Sequence, residues 1–357
     1  MTSWRNQRWQ LAATVLKPGQ GGIARVARMT ARALIEEGVS LDLLALVDDT
    51  PTEIAGRGSV AVNGSRVGYA ARTHAAAFTH DQFLYDSSGP ARAHPRVPGL
   101  RRPYGVWLHG VEAWEGLTLG RERTLRQAAF VLVNSHYTLA RFEALHGPLP
   151  NAHVCPLATE EDAAPAHNAE FAGPPTTLIL ARIDAQEMYK GHTELIEAWP
   201  SVIARVPDAR LLIAGDGSGL ETVRTLAKKS SAVGNIDFLG FVPAEAMPAL
   251  WRRTHVFAMP SRGEGFGLVY IEAMRHGLPV IASRQDAGQE VNHDGVTGFN
   301  VDQHDIEILV GRIVDLLTRQ ELARSMGLAG QQHWHNTYRY SLFAARFIAA
   351  LDELCAE

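Results

Sequence analysis

The sequence predicts an α/β chain of two doubly wound domains, each a parallel sheet with helices on both faces, facing a cleft. Three observations predict it. Short apolar runs alternate with stretches of helical spacing along most of the 357 residues. Residues 160–175 (EEDAAPAHNAEFAGPP) break that alternation with Ala, Pro and acidic residues and read as a linker. The length itself suggests two cores rather than one. The expected domains are 1–159 and 176–340. Ligands of such folds bind outside the carboxyl ends of the strands.

In the first half, RWQLAATVL reads as a strand and KPGQGG as a turn. IARVARMTARALIEEG has helical spacing, with Gly38 as its stop. LDLLALV and GVWLHG are strands, followed by a helix around 121–129, the strand FVLVNS and a helix from Tyr137. NAHVCPL ends the series near residue 157, and residues 51–103 carry no readable motif. The second half runs TTLILAR, a helix after Lys190, ARLLIAGDG, a helix through Ala232, IDFLGF and a helix around 244–253. VFAMP and PVIAS are short buried strands flanking a helix from about Gly267 to His276, closed by Gly277. The last helices begin near Asp305.

Composition excludes several classes. With 46% hydrophobic and 20% charged residues, this is a globular chain. A net charge of −4 argues against nucleic acid as a partner. Cys155 and Cys355 make no disulfide framework and suit a reducing compartment. No apolar run reaches membrane-spanning length, and MTSWRNQRWQ has no signal core, so a cytoplasmic location is expected. Residues 1–160 hold 17 Lys+Arg and 13 Asp+Glu, while the remainder holds 17 and 25. The basic first half is compatible with peripheral contact at the anionic inner face of a membrane, but the excess is small and fits ordinary solvated faces better.

The most informative stretch is SRGEGFGLVYIEAMRHGLPVIAS, residues 261–283. Leu268, Ile271 and Met274 form an apolar stripe, and Glu272, four residues after Leu268, falls on or beside it. A carboxylate there is costly unless it receives hydrogen bonds. Glu264 lies next to Gly265 and Gly267, where main-chain N–H groups at a helix start can meet an anion. A nucleotide sugar suits all three features: ribose hydroxyls for one carboxylate, sugar hydroxyls for the other, diphosphate for the N–H groups. The competing reading pairs Glu272 with an Arg and leaves Glu264 in solvent.

Other pieces are weaker alone. In ARIDAQEMYKGH, Arg182 and Lys190 flank a strand-end loop, and a Lys-Gly opening a helix suits a phosphate, although Lys190 by itself reads as a surface residue. AGDGSG is half a dinucleotide fingerprint and, alone, a structural turn. KPGQGGIAR places Gly19, Gly21 and Gly22 before a helix, in neither the GxGxxG nor the P-loop pattern. LHGVE puts His109 at a strand end. Neither HExxH nor a Cys/His cluster occurs, so no metal site is expected.

Together these pieces resemble the family 4 retaining glycosyltransferases of GT-B fold, two Rossmann-like domains facing a cleft. EGFGLVYIEA, with Glu264 and Glu272 eight apart, resembles the family's EX7E motif. Arg182 with Lys190-Gly191-His192 resembles its phosphate-binding Arg and Lys-Gly, and GQGGIAR its N-terminal glycine loop. LHGVE, VNSHYT, Gln289-Glu290-Val291 and Thr297-Gly298-Phe299 follow in the family's order. The resemblance implies that Glu272 binds ribose, and that Glu264 with the N–H groups around Phe266, Gly267 and Leu268 holds sugar and diphosphate. Arg182 and Lys190 would neutralise the leaving diphosphate, His109 would meet the sugar, and Gly21 and Gly22 would let the first domain close on the donor. The final helix, 341–357, would return to the first domain. Arg182 and Lys190 stand further apart than in many members. The implied activity is hexosyl transfer from a UDP- or GDP-sugar to a glycan or lipid-linked glycan in cell-surface polysaccharide synthesis, without cofactor or metal. The alternatives are a sugar-nucleotide epimerase of the same fold and a catalytically degenerate glycan-binding scaffold.

Overall fold

The structure is a computed structural model describing residues 3–355 other than 115 and 167. It divides into two compact units, Met1–Glu160 with Tyr340–Glu357, and Glu161–Arg339.

The first unit is built on β1 (Arg8–Ala13), α1 (Gly22–Glu36), β2 (Ser40–Ala45), the short strands β3 (Glu53–Ile54), β4 (Arg57–Gly58) and β5 (Val60–Ala61), then α2 (Arg66–Ala76) and β6 (Gln82–Tyr85). It continues with β7 (Tyr104–Leu108), α3 (Leu119–Gln127), β8 (Phe130–Val133), α4 (His136–His146) and β9 (Ala152–Val154). β3 and β4 pair as a small hairpin, and the other seven strands form one sheet in the order β5-β2-β1-β6-β7-β8-β9. Each neighbouring pair is parallel. The apolar runs explain this. Every residue of β7 and β8 is buried, as strands covered on both faces require. α4 starts where the Ser135 hydroxyl accepts the Thr138 N–H at 3.0 Å.

The second unit holds β10 (Thr176–Leu180), α5 (His192–Ile203), β11 (Arg210–Ala214), α6 (Leu220–Lys229), β12 (Ile236–Gly240), α7 (Met247–Arg252), β13 (Val256–Ala258) and α8 (Leu268–Arg275). β14 (Val280–Ser283), α9 (Gly288–Val291), β15 (Gly298–Val301), α10 (Ile306–Thr318) and α11 (Gln320–Thr337) complete it. Its sheet runs β12-β11-β10-β13-β14-β15, again with every pair parallel. The strand expected over VFAMP stops at Ala258, before Pro260, which has no N–H for a ladder. The helix expected through Ala232 ends at Lys229.

The last helix, α12 (Tyr340–Leu354), belongs to the first unit. Its Phe343 and Phe347 rings stack near Trp107 on β7, centroids 6.2 and 6.4 Å away. The Tyr340 hydroxyl donates to Glu36 at 2.6 Å. Among the described residues of 161–175, none is in a helix or strand.

The unreadable stretch 51–103 contains α2 and β6. β6 is only four residues long, yet it pairs β1 on one side and β7 on the other, in the middle of the sheet.

Candidate functional site

At the carboxyl edge of the second sheet, the chain leaves β10 and reaches α5 through Gly191. Gly191 has φ +97°, and a Cβ there would lie 2.8 Å from Pro260 Cδ. Only glycine fits. That close passage sets Lys190 against the loop after β13, where its ammonium forms an ion pair with Glu264. The two side chains are 14% and 15% exposed. Burial works against the Lys190 charge, but the Glu264 carboxylate outweighs it and holds the ammonium above its usual pKa.

Glu264 is itself held. Its N–H donates to Asp286 at 3.0 Å, and its carbonyl accepts from the Ala287 N–H at 3.1 Å. Asp286, in the loop after β14, is fully buried. It also accepts from the Ser261 hydroxyl and, at 2.9 Å, from the Gly288 N–H. Burial pushes its pKa up.

α8 opens just beyond, with Gly267 at φ +87° and no side chain capping its first N–H groups. Such a terminus favours an anion. Phe266 before it is buried. The expected apolar stripe holds at Ile271 and Met274 and fails at Leu268. Tyr270, Ile271, Ala273 and Met274 are buried, whereas Leu268, Glu272 and Arg275 are half-buried. Positions i, i+4 and i+7 share one helix face, so Glu272 lies off the most buried face of α8.

Arg182 does not share the partner of Lys190. Its side chain is 64% exposed and pairs with Glu187, while Lys190 pairs with Glu264. His192, beside Gly191, is buried, and burial lowers its pKa to about 4, so it is neutral at physiological pH.

The carboxyl edge of the first sheet carries its own constellation. Gly21 caps α1 at φ +89° without a side-chain bond, and Gly22 is the first helical residue. Asp48 is buried and accepts from the Leu16 and Lys17 N–H groups at 3.0 and 3.1 Å, bracing the glycine loop. β6 delivers Asp86, which is buried and accepts from the Thr14 N–H at 2.6 Å and the Ser87 hydroxyl at 3.2 Å. Burial raises its pKa to about 6. The Asp86 carbonyl lies 2.7 Å from Nε2 of His109. A carbonyl only accepts, so Nε2 carries the proton, and in the neutral ring Nδ1 is left as an acceptor. The His109 N–H donates to Glu112 at 2.6 Å, and the Asn134 amide donates to the His109 carbonyl at 2.8 Å.

Two carboxylates, Asp86 and Asp286, have no place in the sequence reading, where Asp48 with Asp49 reads only as a turn near a strand end. All three follow an apolar run at a strand end (LLALVD, QFLYD, PVIASRQD), which is the signal available in the sequence.

The family model for glycosyl transferases group 1 matches residues 160–333. The chain is 34% identical over 259 residues to the GDP-mannose-dependent alpha-(1-6)-phosphatidylinositol monomannoside mannosyltransferase of Mycolicibacterium smegmatis, covering 67% of this chain and 66% of that protein. It is 31% identical over 264 residues to the corresponding monoacylated-substrate enzyme of Corynebacterium glutamicum, covering 68% of each. The chain thus spans about two thirds of the length of these curated relatives. Among solved structures, Anabaena HepE in complex with UDP and glucose superposes with a TM-score of 0.80 at 17% identity, over 98% of this chain and 100% of that one. Sucrose-phosphate synthase from Thermosynechococcus elongatus does so with a TM-score of 0.80 at 19% identity and the same coverage. Fold, motif order and these relatives agree: the chain belongs to the group 1 glycosyl transferases, with the GT-B fold.

Proposed function

We propose that the protein is a retaining glycosyltransferase that moves a hexose from a nucleoside diphosphate sugar to a hydroxyl of a glycan or lipid-linked glycan. The observation that carries this reading is the Lys190–Glu264 pair beside the uncapped start of α8, with Glu272 on the half-buried face of the same helix. Transfer places negative charge on the departing diphosphate. Lys190 and the α8 terminus are preorganised to meet it. Arg182 is exposed and can leave Glu187 for a phosphate. Glu264 would accept from sugar hydroxyls, Glu272 from ribose hydroxyls, and Nδ1 of His109 from a hydroxyl of the transferred sugar. These cationic groups do the work that clustered carboxylates and a divalent ion do elsewhere, so the reading includes metal independence. Retention rests on the resemblance of EGFGLVYIEA to the family motif.

The relatives' names favour GDP-mannose as donor and an inositol mannoside lipid as acceptor. A lipid acceptor agrees with the surface of α2. Val67 is 82% and Phe78 70% exposed. Val67 and Ala71 lie on the outward face of α2, opposite the buried Tyr69, Thr73 and Ala76 and near exposed Arg66 and Arg72, while Phe78 stands in the turn after the helix ends at Ala76. Residues 51–103 hold seven Lys+Arg against three Asp+Glu. Exposed apolar side chains among arginines suit peripheral contact with an anionic bilayer on its cytoplasmic side. Among the described residues, no helix is long and apolar enough to cross a membrane.

The test incubates the protein with GDP-mannose, UDP-glucose and ADP-glucose in turn, with mannosylated inositol lipids in anionic vesicles, and determines the new linkage by proton NMR. Transfer with the donor's anomeric configuration is expected. An inverted product overturns retention, and absence of both transfer and nucleoside diphosphate binding overturns the transferase reading.

A further inference from the structure

We propose that Asp286 is a positioning residue of the donor site, which holds Glu264 in place against Lys190 by tying the loop after β13 to the loop after β14. This rests on the reading of Lys190 and Glu264 as donor-binding groups. Asp286 is fully buried, and its Oδ2 accepts both the Ser261 hydroxyl and, at 3.0 Å, the Glu264 N–H. Its Oδ1 accepts the Gly288 N–H at 2.9 Å. One side chain therefore bridges two loops 22 or more residues apart in sequence, and one bridge ends on the main chain of Glu264 itself. The Ala287 N–H, adjacent to Asp286, returns a bond to the Glu264 carbonyl at 3.1 Å. The Glu264 peptide is thus gripped on both sides by the Asp286 segment.

The chemistry of the position points to function rather than to packing alone. The three donors are a hydroxyl and two main-chain N–H groups, none of them cationic, and the Glu264 carboxylate nearby disfavours a second negative charge. A buried carboxylate with neutral partners is an expensive way to join two loops. What it supplies is two separate acceptor oxygens, so that Glu264 is fixed by Oδ2 while Gly288 is fixed by Oδ1. An amide has one acceptor oxygen. In Asp286→Asn, whichever way the amide is turned, an NH2 meets a donor and one tie is lost. A site that is to hold a diphosphate sugar needs its contacting groups fixed before the ligand arrives, and a shift of about 1 Å in a contacting group can lower turnover on the order of a hundredfold.

The test is a double-mutant cycle with Lys190, read by calorimetry with GDP, UDP and ADP as probes and by donor kcat and KM. In the wild-type background, Asp286→Asn is expected to weaken binding of the cognate diphosphate about tenfold, because a tie to the site is lost. In the Lys190→Ala background, the same change is expected to weaken it less than about twofold, since the contact it positions is already gone. A purely structural role shifts Tm but gives equal losses in both backgrounds, and that additivity overturns the proposal. Unchanged affinity in folded Asp286→Asn overturns it as well. If Asp286→Asn does not fold, Ser261→Ala takes its place, removing one donor and keeping the carboxylate; a severalfold loss confined to the Lys190-containing background supports the proposal and equal losses overturn it. Wild-type protein that binds none of the three probes overturns the reading of the site, a result distinct from binding that Asp286→Asn leaves intact.

Discussion

Lys190 and Glu264, 74 positions apart in sequence, meet as an ion pair at the carboxyl edge of the second sheet, each side chain about one-seventh exposed. Removing one partner leaves the other charge in a poorly solvated place. Lys190→Ala is therefore expected to lower donor kcat/KM on the order of a hundredfold, the usual cost of one group that stabilises developing charge. Added magnesium should restore none of it. A steady-state assay of the folded variant that shows less than about a threefold loss removes Lys190 from the site.

Glu272→Gln tests the ribose contact. A carboxylate can accept two vicinal hydroxyls, whereas the amide has one acceptor oxygen. Hydrogen bonds to charged groups contribute roughly 1.5–3 kcal/mol, so calorimetric affinity for the cognate nucleoside diphosphate should fall about tenfold or more. Equal affinity in wild type and variant contradicts the assignment.

His109 lies in the first unit, while Lys190, Glu264 and Glu272 lie in the second. His109→Ala is expected to lower kcat by a larger factor than it weakens nucleoside diphosphate affinity. Nitrogen-15 NMR of the wild type should show the neutral ring protonated on Nε2, as the 2.7 Å contact with the Asp86 carbonyl requires. A ring protonated on Nδ1 is incompatible with that contact.

Asp86 makes stability depend on pH. Its pKa rises from 3.8 to about 6 on folding, chiefly because it is buried. A carboxyl group with a raised pKa binds its proton more tightly in the folded state. Its contribution is fully present below 3.8 and is lost as pH rises through about 6. A shift of that size corresponds to a cost on the order of 3 kcal/mol at neutral pH. Asp86→Asn, which carries no charge, should therefore gain Tm relative to wild type between pH 4 and 7. A Tm difference that stays flat across that range shows that Asp86 ionises as freely folded as unfolded.

In the proposed function, Lys190, Arg182 and the α8 terminus, with its partial charge of roughly +0.5, meet the diphosphate charge. Initial rates should survive exhaustive chelation and be unchanged by magnesium or manganese. A rate that collapses with chelator and returns only with metal shows that these groups are insufficient.

Much of this protein is legible in its sequence, for a local reason. Apolar runs such as GVWL, FVLV and TTLIL read as buried strands by their length and β-branched and aromatic content, and Ser135, Gly147, Gly191 and Gly267 mark helix ends through their own side chains or dihedral freedom. Periodicity and punctuation act over a few residues, so the sequence determines them directly. Glu264 and Lys190 are recognisable as candidates for the same reason, since residue type and glycine neighbours lie within one loop each, and Glu272 is recognisable by its position beside the apolar stripe of its own helix.

Partnership is not legible there. That Lys190 meets Glu264 while Arg182 turns to Glu187 depends on β10 and β13 being neighbours in the sheet. That Asp86 sits under His109 depends on the four-residue β6 entering between β1 and β7. That Asp286 grips Glu264 depends on β13 lying beside β14. Strand order is set by which faces can be buried against which helices, with right-handed crossovers between parallel strands. These are contests between segments tens of residues apart. The sequence by itself determined the elements and the chemical types at their ends; only the tertiary structure, by choosing neighbours, decided which charges pair, which carboxylates are buried, and which nitrogen of His109 keeps its proton.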